Sequence, residues 1–178
     1  GVPPGPAEYL RYYVRTRLTA TMNAFVLRPS EFTRLTNNVV CDKLGGFFSR
    51  ACTILATQGV DTAPDPPESL RGLGEFIDRT ETLVSEARTT AAVDTVQSYF
   101  DHAHGLISEG ELYDDPDAAD RRVLTAAVAN GLALLAPVMP GRVATYNVFE
   151  SWSPDRIPAR VPPGTPLDHD TGRWEKID

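Results

Sequence analysis

Apolar residues recur at helical spacing through most of this chain. In residues 6–27, Leu10, Val14, Leu18, Met22 and Phe25 trace one face of a helix. A second segment opens at Pro29-Ser30-Glu31. Proline early in a helix and an acid in its first turn are both start signals. The apolar stripe that follows is Phe32, Leu35, Val39, Leu44, Phe47, Phe48, Ala51 and Leu55, and Gly59 is placed to end the helix in a left-handed cap. Gly45-Gly46 interrupts this segment at a cost of about 1 kcal/mol per glycine relative to alanine. Such a pair predicts a close approach, by a neighbouring helix in preference to a flat ligand.

Pro64, Pro66 and Pro67 mark a loop, and a third apolar-periodic segment covers residues 68–108. It runs from Leu70, Leu73, Phe76 and Ile77 to Val93, Val96, Phe100 and Ile107. One helix of that length would span about 60 Å. A break is therefore expected near Arg88-Thr89-Thr90, where β-branched neighbours lower helix propensity. Asp115-Pro116-Asp117 reads as an N-cap, a proline at the first helical position and an acid in the first turn. Val123, Leu124, Ala127, Val128, Leu132 and Leu135 follow, and Pro137 and Pro140 end the helix. Residues 141–152 suit either a short helix or an extended piece. Pro154, Pro158, Pro162, Pro163 and Pro166 then make 153–178 an extended arm and not a packed element. The expected fold is all-α: an antiparallel bundle of four to five helices over residues 1–152, with an extended Pro-rich C-terminal arm over 153–178.

Charge narrows the function. With 17 basic and 24 acidic side chains the net charge is −7, which argues against a nucleic-acid partner, since such a partner calls for a basic stripe. No apolar run approaches the roughly 20 residues that span a bilayer, so contact with a membrane complex would be peripheral. Arg11, Arg15 and Arg17 nevertheless give the first helix a basic sector. That sector is a solvated face or a docking surface for an acidic partner, and Trp174 could anchor the arm on the same partner. Cys41 and Cys52 lie about 16 Å apart along a continuous helix, too far for a disulfide, which needs Cα atoms within about 7 Å. Both read as buried apolar residues.

The chemistry is sparse. No phosphate loop, nucleophile elbow or Cys-x-x-Cys pair is present, and the chain reads as non-enzymatic. Asp114, Asp115, Asp117 and Asp120 lack the glycine and glutamate of a calcium loop and read as an acidic helix start. His102 stands out, because an imidazole near the end of an apolar helix must be hydrogen-bonded, charged or ligating. His104, two positions on, points to a different side and makes no metal pair with it.

Two local resemblances give these features a setting. Ala7-Glu8-Tyr9-Leu10-Arg11-Tyr12-Tyr13-Val14-Arg15-Thr16, with Tyr99-Phe100-Asp101, Asp117-Ala118-Ala119 and Leu134-Leu135, resembles the Q-type extrinsic subunits of photosystem II. Asp42-Lys43-Leu44-Gly45, Phe76-Ile77-Asp78-Arg79, Asp101-His102-Ala103-His104-Gly105-Leu106-Ile107-Ser108 and Met139-Pro140 are similar to pieces of the dinoflagellate peridinin–chlorophyll protein. The first resemblance implies a non-catalytic accessory subunit in the chloroplast thylakoid lumen. It would dock through Arg11, Arg15, Arg17 and Trp174 on a larger membrane complex, a photosystem core or antenna. The second implies a soluble light-harvesting protein with chlorophyll and carotenoid as cofactors, His102 supporting the chlorophyll through a water. Bulky Arg79, Glu81, Tyr99 and Phe100 stand where that family uses small residues, so the accessory-subunit reading is preferred.

Overall fold

A computed structural model describes residues 6–17, 26–109, 116–154, 156–169 and 176–177. Among them the chain is all-α, with six helices and no strand. Helix α1 is Pro6–Arg15, α2 covers 29–57, α3 is Leu73–Ser85, α4 is Thr89–Glu109, α5 is Ala118–Leu135 and α6 is Pro140–Tyr146.

Helix α1 buries a different face from the one the periodicity picks out. Tyr9, Tyr12 and Tyr13 are inside, whereas Leu10 is 39% exposed and Val14 half-buried. Three rings at helical spacing outweigh two aliphatic side chains in area removed from water. Leu18, Met22 and Phe25 lie outside the described residues.

Helix α2 begins at Pro29 as its start signals predict, and Gly59 (φ +64) closes it in the left-handed region. Between the α-helical stretches Pro29–Leu35 and Gly46–Thr57 it widens into a π-helical stretch, Thr36–Gly45. The wider turn rotates the inward face. Thr36, Val40, Cys41 and Leu44 are buried, while Phe32, Leu35 and Val39 pack only at the edge of the core. Both central glycines keep ordinary helical torsions. A Cβ at Gly46 would meet nothing within 4 Å, so no neighbouring helix accounts for that glycine. It faces open space.

The long third segment breaks where expected. Helix α3 ends at Ser85, Ala87 takes φ +56, and α4 starts at Thr89, folding the two helices back on each other. Helix α5 starts two residues later than its proline suggests. Asp117 is the N-cap, in a capping box in which Asp120 N–H donates to Asp117 and Asp117 N–H donates back to Asp120. From residue 123 to 135 every side chain of α5 except Ala126 is buried, the mark of a central helix. Its Gly131 lies against two rings: a Cβ there would stand 3.2 Å from Phe48 and from Phe100. Those rings, with Phe47 and Tyr99, pack edge to face at 5.4–5.6 Å, and the Tyr99 hydroxyl donates to Ala127 O at 2.7 Å.

The ambiguous stretch after α5 forms the short helix α6. Its first amides are met by a side chain from the other end of the chain. Glu8, 8% exposed, accepts from Gly141 N–H at 2.7 Å and Arg142 N–H at 2.8 Å. These are donors a helix cannot satisfy within itself. Arg142 in turn lies 4.7 Å above the Tyr9 ring.

The described residues after 152 form no helix, and they pack against the helical core. Leu167 is 8% exposed, and Ile157, Ala159, Val161 and Ile177 lie against the core. Leu167 N–H donates to Asp61 O at 2.9 Å, Asp168 N–H to Val148 O at 2.7 Å, and Ala159 N–H to the Asn130 side chain at 2.8 Å. The sequence expectation that this segment is not a packed element is therefore corrected: proline restricts the backbone without setting whether the helices cover it.

Deleting residues 153–178 should destabilise the protein. Removing Leu167 and its neighbours uncovers the apolar surface they pack on, at a cost of about 2–3 kcal/mol, which for a chain of this size lowers the melting temperature by about 5–10 °C. Thermal denaturation of the truncated chain checks this, and an unchanged melting temperature would contradict the packing.

Candidate functional site

His102 lies on α4 facing the bend that precedes α3. Arg71 (φ +49) and Gly72 (φ +86) turn that bend, and Gly72 has no Cβ where one would stand 3.0 Å from His102 Nε2. The imidazole comes 2.8 Å from Arg71 O. A carbonyl can only accept, so Nε2 carries the proton and donates. The ring also lies 5.5 Å from that of Phe76. His104 repeats the device on another side, as predicted, with Nε2 donating to Lys43 O at 2.8 Å on α2. Both histidines tie α4 to neighbouring segments.

The same bend reaches α5. The Arg71 guanidinium pairs with Asp120, which belongs to the capping box. Asp117 is held below the ordinary carboxylate range first by the Asp120 amide, then by the Ala119 amide and by the Arg71 and Arg121 cations. Asp117 and Asp120 thus serve the helix start; Asp114 and Asp115 lie outside the described residues. Among the described residues no cluster of three His, Cys, Asp or Glu could hold a metal ion. Cys41 and Cys52 are buried and form no disulfide among the described residues, and burial pushes the Cys52 thiol up to about 12.

Of the predicted docking residues, Arg11 and Arg15 line one shallow hollow on α1. Arg11 lies 4.0 Å from Glu8, and Arg15 is half-buried at the end of α1. Arg17 turns away to Glu31 at 3.0 Å and stacks 5.7 Å over the Tyr13 ring. Arg28, and then Arg17, hold the Glu31 carboxyl below its ordinary range. Trp174 lies outside the described residues.

A site the sequence reading missed lies on the outward face of α2. Ser49, Arg50, Thr53 and Thr57 follow Gly46 at one-turn spacing and edge an open hollow floored by that glycine. The threonine hydroxyls are engaged by the helix itself: Thr53 donates to Ser49 O at 2.8 Å and Thr57 to Ile54 O at 2.9 Å. Arg50 is exposed, and its guanidinium touches only the Ser108 hydroxyl of α4, at 3.4 Å, among the described residues. The hollow therefore offers one available cation over a bare glycine, a geometry that admits a flat polar group or a phosphate. The signal was the polar stripe 49-53-57 on α2, which reads equally well as a solvated face.

No protein-family model matches the chain, and no curated protein sequence does. Among solved structures it is similar to the apo form of methionyl-tRNA synthetase from Mycobacterium tuberculosis, with a TM-score of 0.72 at 16% identity over 96% of this chain. The same enzyme bound by methionyl-adenylate gives 0.70 at 15% identity over 94% of the chain. The chain spans 39% of the length of the first of these structures and 37% of the second. At this identity the likeness establishes a shared fold with part of that enzyme. No described helix is long and apolar enough to cross a membrane.

Two outcomes test the site's scaffold. Replacing His102 with Ala leaves the Arg71 carbonyl without its donor and should cost about 1–2 kcal/mol, while His102→Gln, which still donates, should cost less. Equal melting of wild type and His102→Ala would show that the latch contributes nothing. The depressed Asp117 carboxyl contributes stability above its ordinary value of 3.8 and loses it as pH falls through the lower folded value. Melting temperature should therefore decline between about pH 5 and pH 2, less steeply in Asp117→Asn; identical slopes would remove the capping box from acid sensitivity.

Proposed function

We propose that this chain is a helical tRNA-binding unit of the methionyl-tRNA synthetase type, a counterpart of the anticodon-binding part of such an enzyme. The observation that carries this reading is a fold likeness running through 96% of the chain. In this reading the helices form an antiparallel bundle with residues 153–178 laid along it. The anticodon loop would sit on the outward face of α2 at Arg50. Single-stranded RNA loops are read by hydrogen bonds to splayed base edges, by phosphate contacts and by stacking. Arg50 supplies the first two, and Gly46 lets a base approach the helix backbone. None of the side chains lining the hollow is aromatic, so stacking would contribute little there. Chemistry on the amino acid would belong to parts of such an enzyme beyond this fold.

The reading reverses the expectation of no nucleic-acid partner drawn from net charge. An acidic chain steers RNA poorly over distance, and binding then rests on a few local contacts. That gives a signature: a shallow dependence on salt, with a log–log slope of about −0.7 to −1.4 for one or two phosphates at roughly 0.7 per phosphate.

A docking role of the photosystem II extrinsic type is the second reading, favoured by one observation. Leu10 and Arg11 stand exposed together on α1, beside a hollow lined also by Ala7, Val14 and Arg15. The pigment-carrier alternative has less room. Nε2 of His102 is committed to Arg71 O, and the core beside α4 is filled by Phe47, Phe48, Tyr99 and Phe100.

Fluorescence anisotropy with a labelled anticodon stem-loop decides between the first two. Micromolar binding, weakened about tenfold or more by Arg50→Ala and unchanged by Arg11→Ala/Arg15→Ala, is expected. Absence of binding at 100-fold higher concentration, or loss through α1 with none through Arg50, would overturn the assignment to α2.

A further inference from the structure

A second hollow, on a different face, is built by three chain segments. The Pro-rich loop after α2 supplies Pro64, Pro66, Pro67 and Leu70, and the extended C-terminal segment supplies Val161. Helix α5 closes it with Ala126 and Ala129, two small residues. The space amounts to about 360 Å³, near the lower end of the range for small-molecule sites, about 300–1,000 Å³.

The walls are pinned. Asn130 donates to Ala126 O at 2.9 Å and accepts from Ala159 N–H at 2.8 Å, joining the C-terminal segment to α5. Ala63 N–H donates to Thr165 O at 2.7 Å and Gly164 N–H to Ala63 O at 2.8 Å, joining the same segment to the loop. The hollow is thus held open by bonds that do not depend on an occupant.

Two arginines line this hollow together. Arg11, Arg17, Lys43, Arg71 and Lys176 all have a carboxylate within 4.0 Å. Arg122 and Arg160 both edge this hollow, and neither has a carboxylate partner among the described residues. Asp65 also lines it but forms no ion pair with either among the described residues. Two available guanidiniums beside an apolar pit, on a chain of net charge −7, form a local anion site. Guanidinium binds carboxylate through paired N–H donors.

We propose that the hollow between the Pro-rich loop, α5 and the C-terminal segment binds a small organic acid, its carboxylate held by Arg122 and Arg160 and its apolar body lying on Pro64, Leu70, Ala126 and Val161. The site is separate from the Arg50 face and independent of the tRNA reading.

Trp152 supplies the readout. Its indole Nε1–H donates to Arg160 O at 3.1 Å, so an occupant held by Arg160 shifts that resonance. The probe is 2-naphthoate, followed by the indole N–H signal in full-length protein carrying Trp174→Phe, with calorimetry in parallel. Expected are a saturable shift with Kd below about 1 mM, binding at least tenfold weaker for neutral 2-naphthamide, and an equal loss in Arg122→Gln/Arg160→Gln. Arg160 is exposed and Arg122 half-buried, and helical circular dichroism verifies that the double variant keeps its fold. Ala126→Trp, which fills the pit, should abolish binding. The proposal is overturned if naphthoate does not saturate, if the amide binds as well as the acid, or if the double variant binds unchanged.

Discussion

The packing rests on one missing side chain. Gly131 brings the backbone of α5 against the rings of Phe48 on α2 and Phe100 on α4, where a Cβ would stand 3.2 Å from both. Three helices meet at that point, and the aromatic cluster around it is fully buried. Moving α5 outward to admit a methyl group would open voids along a helix whose side chains are inside from residue 123 to 135 apart from Ala126. Interiors this dense respond to small displacements, because dispersion contacts fall off steeply with distance. The bend at Arg71 and the C-terminal segment are both fastened to α5, through Asp120 and Asn130, so their placement follows from its own.

Much of the helical order was legible because its signals act locally. Proline at residue 29 fixes its own φ and glycine at residue 59 admits the left-handed region, and the two mark the ends of α2. The break between α3 and α4 falls at Glu86-Ala87-Arg88, beside the threonines that suggested it. Features that depend on what lies opposite were not legible. The tyrosine face of α1 competes with an aliphatic face of similar period, and only the surrounding core decides between them. The π-helical turn of Thr36–Gly45 leaves no compositional mark, yet it rotates the buried face. The C-terminal prolines predict extension but not that Leu167 is covered.

The candidate sites divide in the same way. His102 was identifiable as a residue needing a partner, but the partner, a backbone carbonyl 31 positions earlier, has no sequence signature. Arg50 carries no mark that separates it from a solvated arginine. Its interest comes from the bare glycine one turn before it and from the lack of an acidic neighbour among the described residues. Net charge averages over a surface on which several guanidiniums have no ion-pair partner among the described residues.

The contact between Glu8 and α6 has a mechanical meaning. The carboxylate bridges residues 133 positions apart and lies almost wholly out of water. Tilting α1 would strip two amides of their acceptor and strand a buried acid at once, so small displacements meet steep resistance. Helices α1 and α6 should therefore move as one body, and the joint acts as a stiff coupling between chain segments far apart in sequence.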